Sequence, residues 1–276
     1  MNLYEYAYEA LKSDDVDVKE SHCKRILELS SMERDDSDSM AGFVPEPLTT
    51  PSYAGRCEIV EPSRLPKRRN LSTLEGRAIL LHSIAHIEYS AIDLAIDAVY
   101  RFPSMPMEYV GDWIEVALDE VRHYRMLESL LERIGYRYGD FPVHRGLFDI
   151  ALHTSSDPLD RMAVIPRHYE ATGLDVNPRI AQKLERSSAN DPFVDDILSA
   201  LEVIYSEEIV HVSKGDKWFK YICSVRNLDP VETFFTILHR YGLDTKRGGE
   251  IVNVDARLEA GFSCGELERL GAEKCP

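Results

Sequence analysis

Glu88, Glu120-Val121-Arg122-His123, Glu170 and Glu208-Ile209-Val210-His211 are the stretches whose reading decides the fold. In chain order they give a lone glutamate, a Glu-x-x-His pair, a second lone glutamate and a second Glu-x-x-His pair. This order predicts four successive helices packed as a bundle around a dinuclear metal site. The i, i+3 spacing sets each glutamate and its histidine about 60° apart on one helical face, so both reach the same core cavity. Two such pairs supply two imidazoles and two carboxylates. The lone glutamates complete six ligands, Glu88, Glu120, His123, Glu170, Glu208 and His211, able to bridge and chelate two divalent ions. Oxygen and nitrogen donors of this kind suit iron or manganese, whereas a closed thiolate set would favour zinc.

One Glu-x-x-His pair alone reads as a solvated helix face. The weight lies in the order and its repetition. Glu88 to Glu120 spans 32 positions and Glu170 to Glu208 spans 38, each enough for a helix, a turn and a return to the same depth. The flanking residues also point to burial. Leu81, Ile84, Ala85, Ile92 and Ala95 share the face of Glu88. Trp113, Val116, Leu127 and Leu130 share that of Glu120 and His123, and Leu201, Ile204, Tyr205 and Trp218 that of Glu208 and His211. A carboxylate in such a stripe is costly unless it is paired or binds a metal. Around Glu170 the face is thinner, with Ala163 and Leu174, and Pro166 one turn earlier predicts a kink.

Helix ends can be read independently of the ligands. Ser72-Thr73-Leu74-Glu75 is a capping box for the first bundle helix, and Pro103 stops it near Phe102. Pro106 opens the second and Gly135 closes it after Arg133. Asp157-Pro158 and Asp191-Pro192 open the third and fourth as N-cap and first-turn proline, the fourth running to about Tyr221.

Outside the bundle, residues 4–12 and 16–30 predict two short amphipathic helices, and residues 31–70 an extended strap that begins with the acidic run 33–39 and continues with five prolines. Residues 141–153 predict a short crossover helix and residues 230–241 another helix, followed by a loop at 246–250 and a tail. The expected division is therefore 1–70, N-terminal helices and strap; 71–222, the bundle; and 223–276, a helical extension and tail.

Composition narrows the function classes. A net charge of −16, from 48 Asp and Glu against 32 Lys and Arg, opposes nonspecific nucleic-acid binding. The basic cluster Lys67-Arg68-Arg69 reads as solvated linker. No apolar run approaches membrane-spanning length, and Met1-Asn2-Leu3-Tyr4-Glu5-Tyr6 has no signal-peptide pattern, so a cytoplasmic protein without a membrane partner is expected. Five scattered cysteines, odd in number and without Cys-x-x-Cys, predict neither a disulfide framework nor a built-in rubredoxin-like electron relay. His82, His86 and His168 lie near ligand glutamates but read as packing residues, as do Trp113 and Tyr205 on the ligand faces. Glu207 points about 100° from Glu208. Arg122 is a candidate outer partner for a carboxylate.

The ligand pattern resembles the ferritin-like superfamily, and further segments resemble the family catalogued as domain of unknown function 455. These segments are residues 86–95, Asp119-Glu120-Val121-Arg122-His123-Tyr124, residues 170–178, Glu207-Glu208-Ile209-Val210-His211-Val212 and Ala256-Arg257-Leu258-Glu259-Ala260-Gly261-Phe262. The resemblance implies an all-α, ferritin-like four-helix bundle with a long crossover and a dinuclear centre, two irons or their manganese or mixed manganese–iron counterpart. The N-terminal strap and C-terminal extension depart from cage-forming ferritins, which argues against iron storage. The first expectation is an oxidoreductase in which Glu88, Glu120, Glu170 and Glu208 carry the catalytic metals, with dioxygen or peroxide as oxidant, an unknown organic substrate and an external electron donor. A ferroxidase or peroxide-detoxifying protein is the second, and a metal-stabilised, non-enzymatic binding module the third. A homodimer is compatible with each.

Overall fold

The computed structural model of the chain describes residues 1–32, 43–67, 70–187, 191–243 and 252–275. The chain is all-α, and among the described residues the only strand-like pairing outside the helices is an isolated bridge between Ile59 and Val143. The acidic run 33–39, Arg68 and Arg69 of the basic cluster and the loop 246–250 lie outside the described residues. Residues separate into two compact units, 1–153 with 187–200, and 154–186 with 201–276.

The first unit contains α1 (Leu3–Lys12), α2 (Val16–Met32), α3 (Leu74–Arg101), α4 (Met107–Arg133), α5 (Gly146–His153) and the opening turns of α8 (Pro192–Val225). Its centre is α3 laid along α4, with α1 and α5 packed on α3 and α2 on α4. The long helices form where the apolar spacing predicts them, and their ends follow local chemistry. Thr73, one residue later than the expected Ser72, caps α3 by accepting the Gly76 N–H. Ser72 instead donates its hydroxyl to Asn70 Oδ1 at 2.5 Å. Helix α4 begins after Pro106 and ends at Arg133, with Gly135 at φ 83° just beyond it. One window of α3 is long and apolar enough by composition to cross a membrane, with mean hydropathy 1.3, which the sequence reading did not anticipate. Because 72% of that window is buried within the fold, packing accounts for its apolar content.

The second unit holds α6 (Pro158–Val164), a π-helical turn (Ile165–Glu170), α7 (Ala171–Ser187, as far as Arg186), α8 from Leu201 onward, α9 (Pro230–Arg240), α10 (Val254–Glu259) and α11 (Cys264–Leu270). The kink expected at Pro166 takes the form of this π turn. Proline has no N–H to donate and its ring crowds the carbonyl one turn back, so the chain takes up an extra residue, closed by Ala171 N–H donating to Pro166 O. Helix α8 continues to Val225, a turn beyond the expected Tyr221.

In place of a simple tail, the C-terminal segment carries two more helices. Asn253 caps α10, and Ser263 with Glu266 forms a capping box on α11. Helices this short gain little from their own hydrogen bonds, so tertiary contacts must hold them. Here Arg257 donates to both carboxylate oxygens of Asp175, at 3.0 and 2.7 Å. The scattered cysteines predict no disulfide framework, yet one bond is present: Cys264 and Cys275 are joined across a separation of 11 residues. Helix α11 brings these two together, whereas Cys23, Cys57 and Cys223 remain buried thiols.

Candidate metal centre

Helices α3 and α4 bring three of the six expected ligands together inside the first unit. Glu88 is 4% exposed, and Glu120 and His123 are not exposed at all. Their ligand atoms lie within 4.8 Å of one another, so the three form a group that could hold a metal ion. His123 Nδ1–H donates to Glu88 Oε2 and to Glu120 Oε2, each at 3.2 Å. The i, i+3 spacing on α4 makes the Glu120–His123 contact, and the packing of α3 on α4 brings in Glu88 from 35 residues away.

The electrostatics of this group favour a cation. Burial opposes a charged imidazole at His123, yet the hydrogen bonds and negative charges of Glu120 and Glu88 prevail and push its pKa up to about 11. The proton on His123 therefore stands where two buried carboxylates call for positive charge. A divalent ion would supply that charge through the carboxylate oxygens of Glu88 and Glu120, and His123 would release its proton to become a ligand. The donor set fits iron or manganese on this chemistry.

The other three expected ligands belong to the second unit. Glu170 ends the π turn and is half-buried. Glu208 and His211 lie on α8 three positions apart, with Glu208 Oε1 3.5 Å from His211 Nδ1; the imidazole is fully buried and the carboxylate 16% exposed. Pro166 on the π turn packs directly on Gly215 of α8, so the segment bearing Glu170 is held against the helix bearing Glu208 and His211.

The neighbouring candidates have other partners. His82 Nε2 accepts the Gly139 N–H at 2.9 Å. His86 Nε2–H donates to His144 O, leaving Nδ1 to accept the Tyr138 hydroxyl, both at 2.9 Å. Burial pushes both imidazoles down to about 4, so they are neutral packing groups at neutral pH. Tyr205 accepts from Asn253 Nδ2 at 2.8 Å, and the exposed Arg122 pairs with Asp119 at 2.6 Å. Trp113 is 2% exposed, in the core as expected, and Glu207 and His168 are half-buried.

Sequence reasoning passed over several buried cations, among them Lys19 and Arg167. Lys19 is fully buried and donates to Asp93 Oδ1 at 2.5 Å and Ala10 O at 2.8 Å. Arg167, in the π turn, is also fully buried. In each case the counter-charge comes from a remote segment, so no local spacing announces it.

The model of the family described as "Protein of unknown function (DUF455)" matches residues 12–268 of this chain. A Haemophilus influenzae protein bearing the name "Uncharacterized protein" is 37% identical over 242 residues, which cover 84% of this chain and 76% of that protein. No solved structure matches the chain.

Proposed function

The chain belongs to the DUF455 family, and on that premise we propose that it is a ferritin-like, dinuclear-iron oxidoreductase that oxidises or hydroxylates an organic substrate. The observation that carries the reading is the buried Glu88–Glu120–His123 group. Two buried carboxylates need a compensating cation, a role that protonated His123 or a divalent ion can fill. The ligand order of the sequence extends the group to Glu170, Glu208 and His211, giving two ions six protein ligands in a four-helix bundle.

Bound iron supplies one-electron chemistry and open coordination positions for dioxygen or peroxide. The residues do the rest. Glu88 and Glu120, both buried, would hold the ions through their carboxylate oxygens. His123 and His211 would add an imidazole nitrogen each. The neutral His86–Tyr138 and His82–Gly139 hydrogen bonds hold α3 in register beside Glu88. With no Cys-x-x-Cys in the sequence, repeated turnover draws on an external electron donor, and an acidic surface favours one that docks through a basic patch.

The test is anaerobic reconstitution with ferrous iron, metal analysis, and exposure to oxygen followed by optical and Mössbauer spectroscopy. Two irons per chain, oxidised once by oxygen alone and repeatedly when a reductant is supplied, support the proposal. One ion, or none, removes the dinuclear reading. Growth of a large ferric mineral would make iron itself the substrate.

A further inference from the structure

Resting on that metal reading, we infer that Arg167 is the positioning residue for Glu170, locking the π turn in the register that presents this carboxylate. Arg167 lies in the π turn three positions before Glu170 and has no exposed surface. Its guanidinium carbon sits 4.5, 4.3 and 4.6 Å from the ring centroids of Phe219, Phe234 and Phe262. These rings come from α8, from α9 and from the residue just before the Ser263 cap of α11. Nη2 donates to Glu266 Oε1 on α11 at 2.6 Å, and Nε lies 3.0 Å from Asp216 Oδ1 on α8. One side chain of the π turn is thus gripped by three helical segments of its unit.

The two acids play unequal parts. Burial opposes the charged form of Glu266, but Arg167 and the Ser263 cap hold it below the usual carboxylate range. At Asp216 burial prevails over Arg167 and Lys220 and raises the pKa. The Glu266 contact is therefore the firm anchor. Gly261 at φ 103° leaves room for Asp216, since a Cβ built there would stand 2.4 Å from Asp216 Oδ2.

A buried charge cluster is a poor way to add stability, since apolar side chains of similar volume often do as well, but it can specify one conformation over another. Here the competing conformation is easy to name. If the π turn gave up its extra residue and relaxed to an α-helix, Glu170 would swing by about 100° around the axis. Arg167 cannot keep both its acids and its aromatic cage through such a rotation. The Pro166–Gly215 contact opposes it at the adjacent residue.

The experiment compares wild type with Arg167→Met, Arg167→Lys and Glu266→Gln, each titrated anaerobically with ferrous iron against a competing chelator, and each melted as apo protein. The inference expects wild type to take two irons, and Arg167→Met to keep one while binding the second at least tenfold more weakly. Arg167→Lys and Glu266→Gln should fall between them, because each retains part of the anchor. Variants that melt earlier but bind two irons with wild-type affinity below the melt would overturn the positioning role and leave Arg167 merely structural. If Arg167→Met does not fold, Glu266→Gln decides by the same readout. Fewer than two irons in wild type would instead overturn the dinuclear reading on which the inference rests.

Discussion

Gly215 of α8 lies so close to Pro166 of the π turn that a Cβ built on the glycine would stand 2.2 Å from the proline Cβ and 2.4 Å from its Cγ. Each residue is four positions from an expected ligand, Glu170 on one side and His211 on the other. The contact sets how nearly the π turn approaches α8. Gly215→Ala cannot be absorbed by a flexible side chain, since the proline ring is tied to the backbone. Overpacking of this kind costs typically about 1–3 kcal/mol. We expect a lowered melting temperature together with weaker metal retention, read by calorimetry and metal analysis; a variant unchanged in both would show that the approach is not needed.

Glu120→Gln keeps the volume of a fully buried side chain and removes the charge that pairs with His123. Iron content after anaerobic loading should fall from two per chain to one or none while the far-ultraviolet circular dichroism stays helical. His86→Gln should retain both ions, because His86 is committed to Tyr138 and His144. Equal metal content in the two variants would remove Glu120 from the ligand set.

Metal binding to the native state adds stability by mass action, about 2.7 kcal/mol when free metal is a hundredfold above its dissociation constant. For a chain of this size that corresponds to roughly 5 °C or more in melting temperature. Scanning calorimetry of chelator-treated and iron-loaded protein should show that separation. Coincident melts would mean that the buried glutamates do not bind a metal.

His82 and His86 stay neutral in the fold down to about pH 4, whereas in the unfolded chain each takes a proton near 6.5. Below 6.5 the unfolded state thus binds more protons, and stability falls with pH until the folded pKa is reached. Each histidine contributes roughly 3 kcal/mol to that loss between pH 6.5 and 4. Urea midpoints should decline across this window in wild type and decline less in His82→Asn; parallel curves would place the imidazole in water.

The Cys264–Cys275 bond closes a short loop around α11. Chain-entropy arguments give a cross-link of this span about 3 kcal/mol, lost on reduction. Treatment with a dithiol, or the double change Cys264→Ser with Cys275→Ser, should speed hydrogen exchange in α11 and leave α3 and α4 unaffected. Uniform exchange before and after reduction would argue against a bond that tethers this end of the chain.

Local order in the sequence determined the all-α class, the starts of α4, α6 and α8 at their prolines, and the pairing of Glu120 with His123 on one face. These depend on spacing within a turn or on a single residue's backbone chemistry, and such effects act over three or four positions. Tertiary structure alone decided what needed a remote partner. Examples are the burial of Arg167 between Asp216 and Glu266, the burial of Lys19 against Asp93, and the Cys264–Cys275 bond. Pro166 shows both sides. The sequence predicts that an α-helix cannot pass it unchanged, but whether the break becomes a bend, an end or a π turn depends on what packs against it, and Gly215 together with the cage around Arg167 made it a π turn.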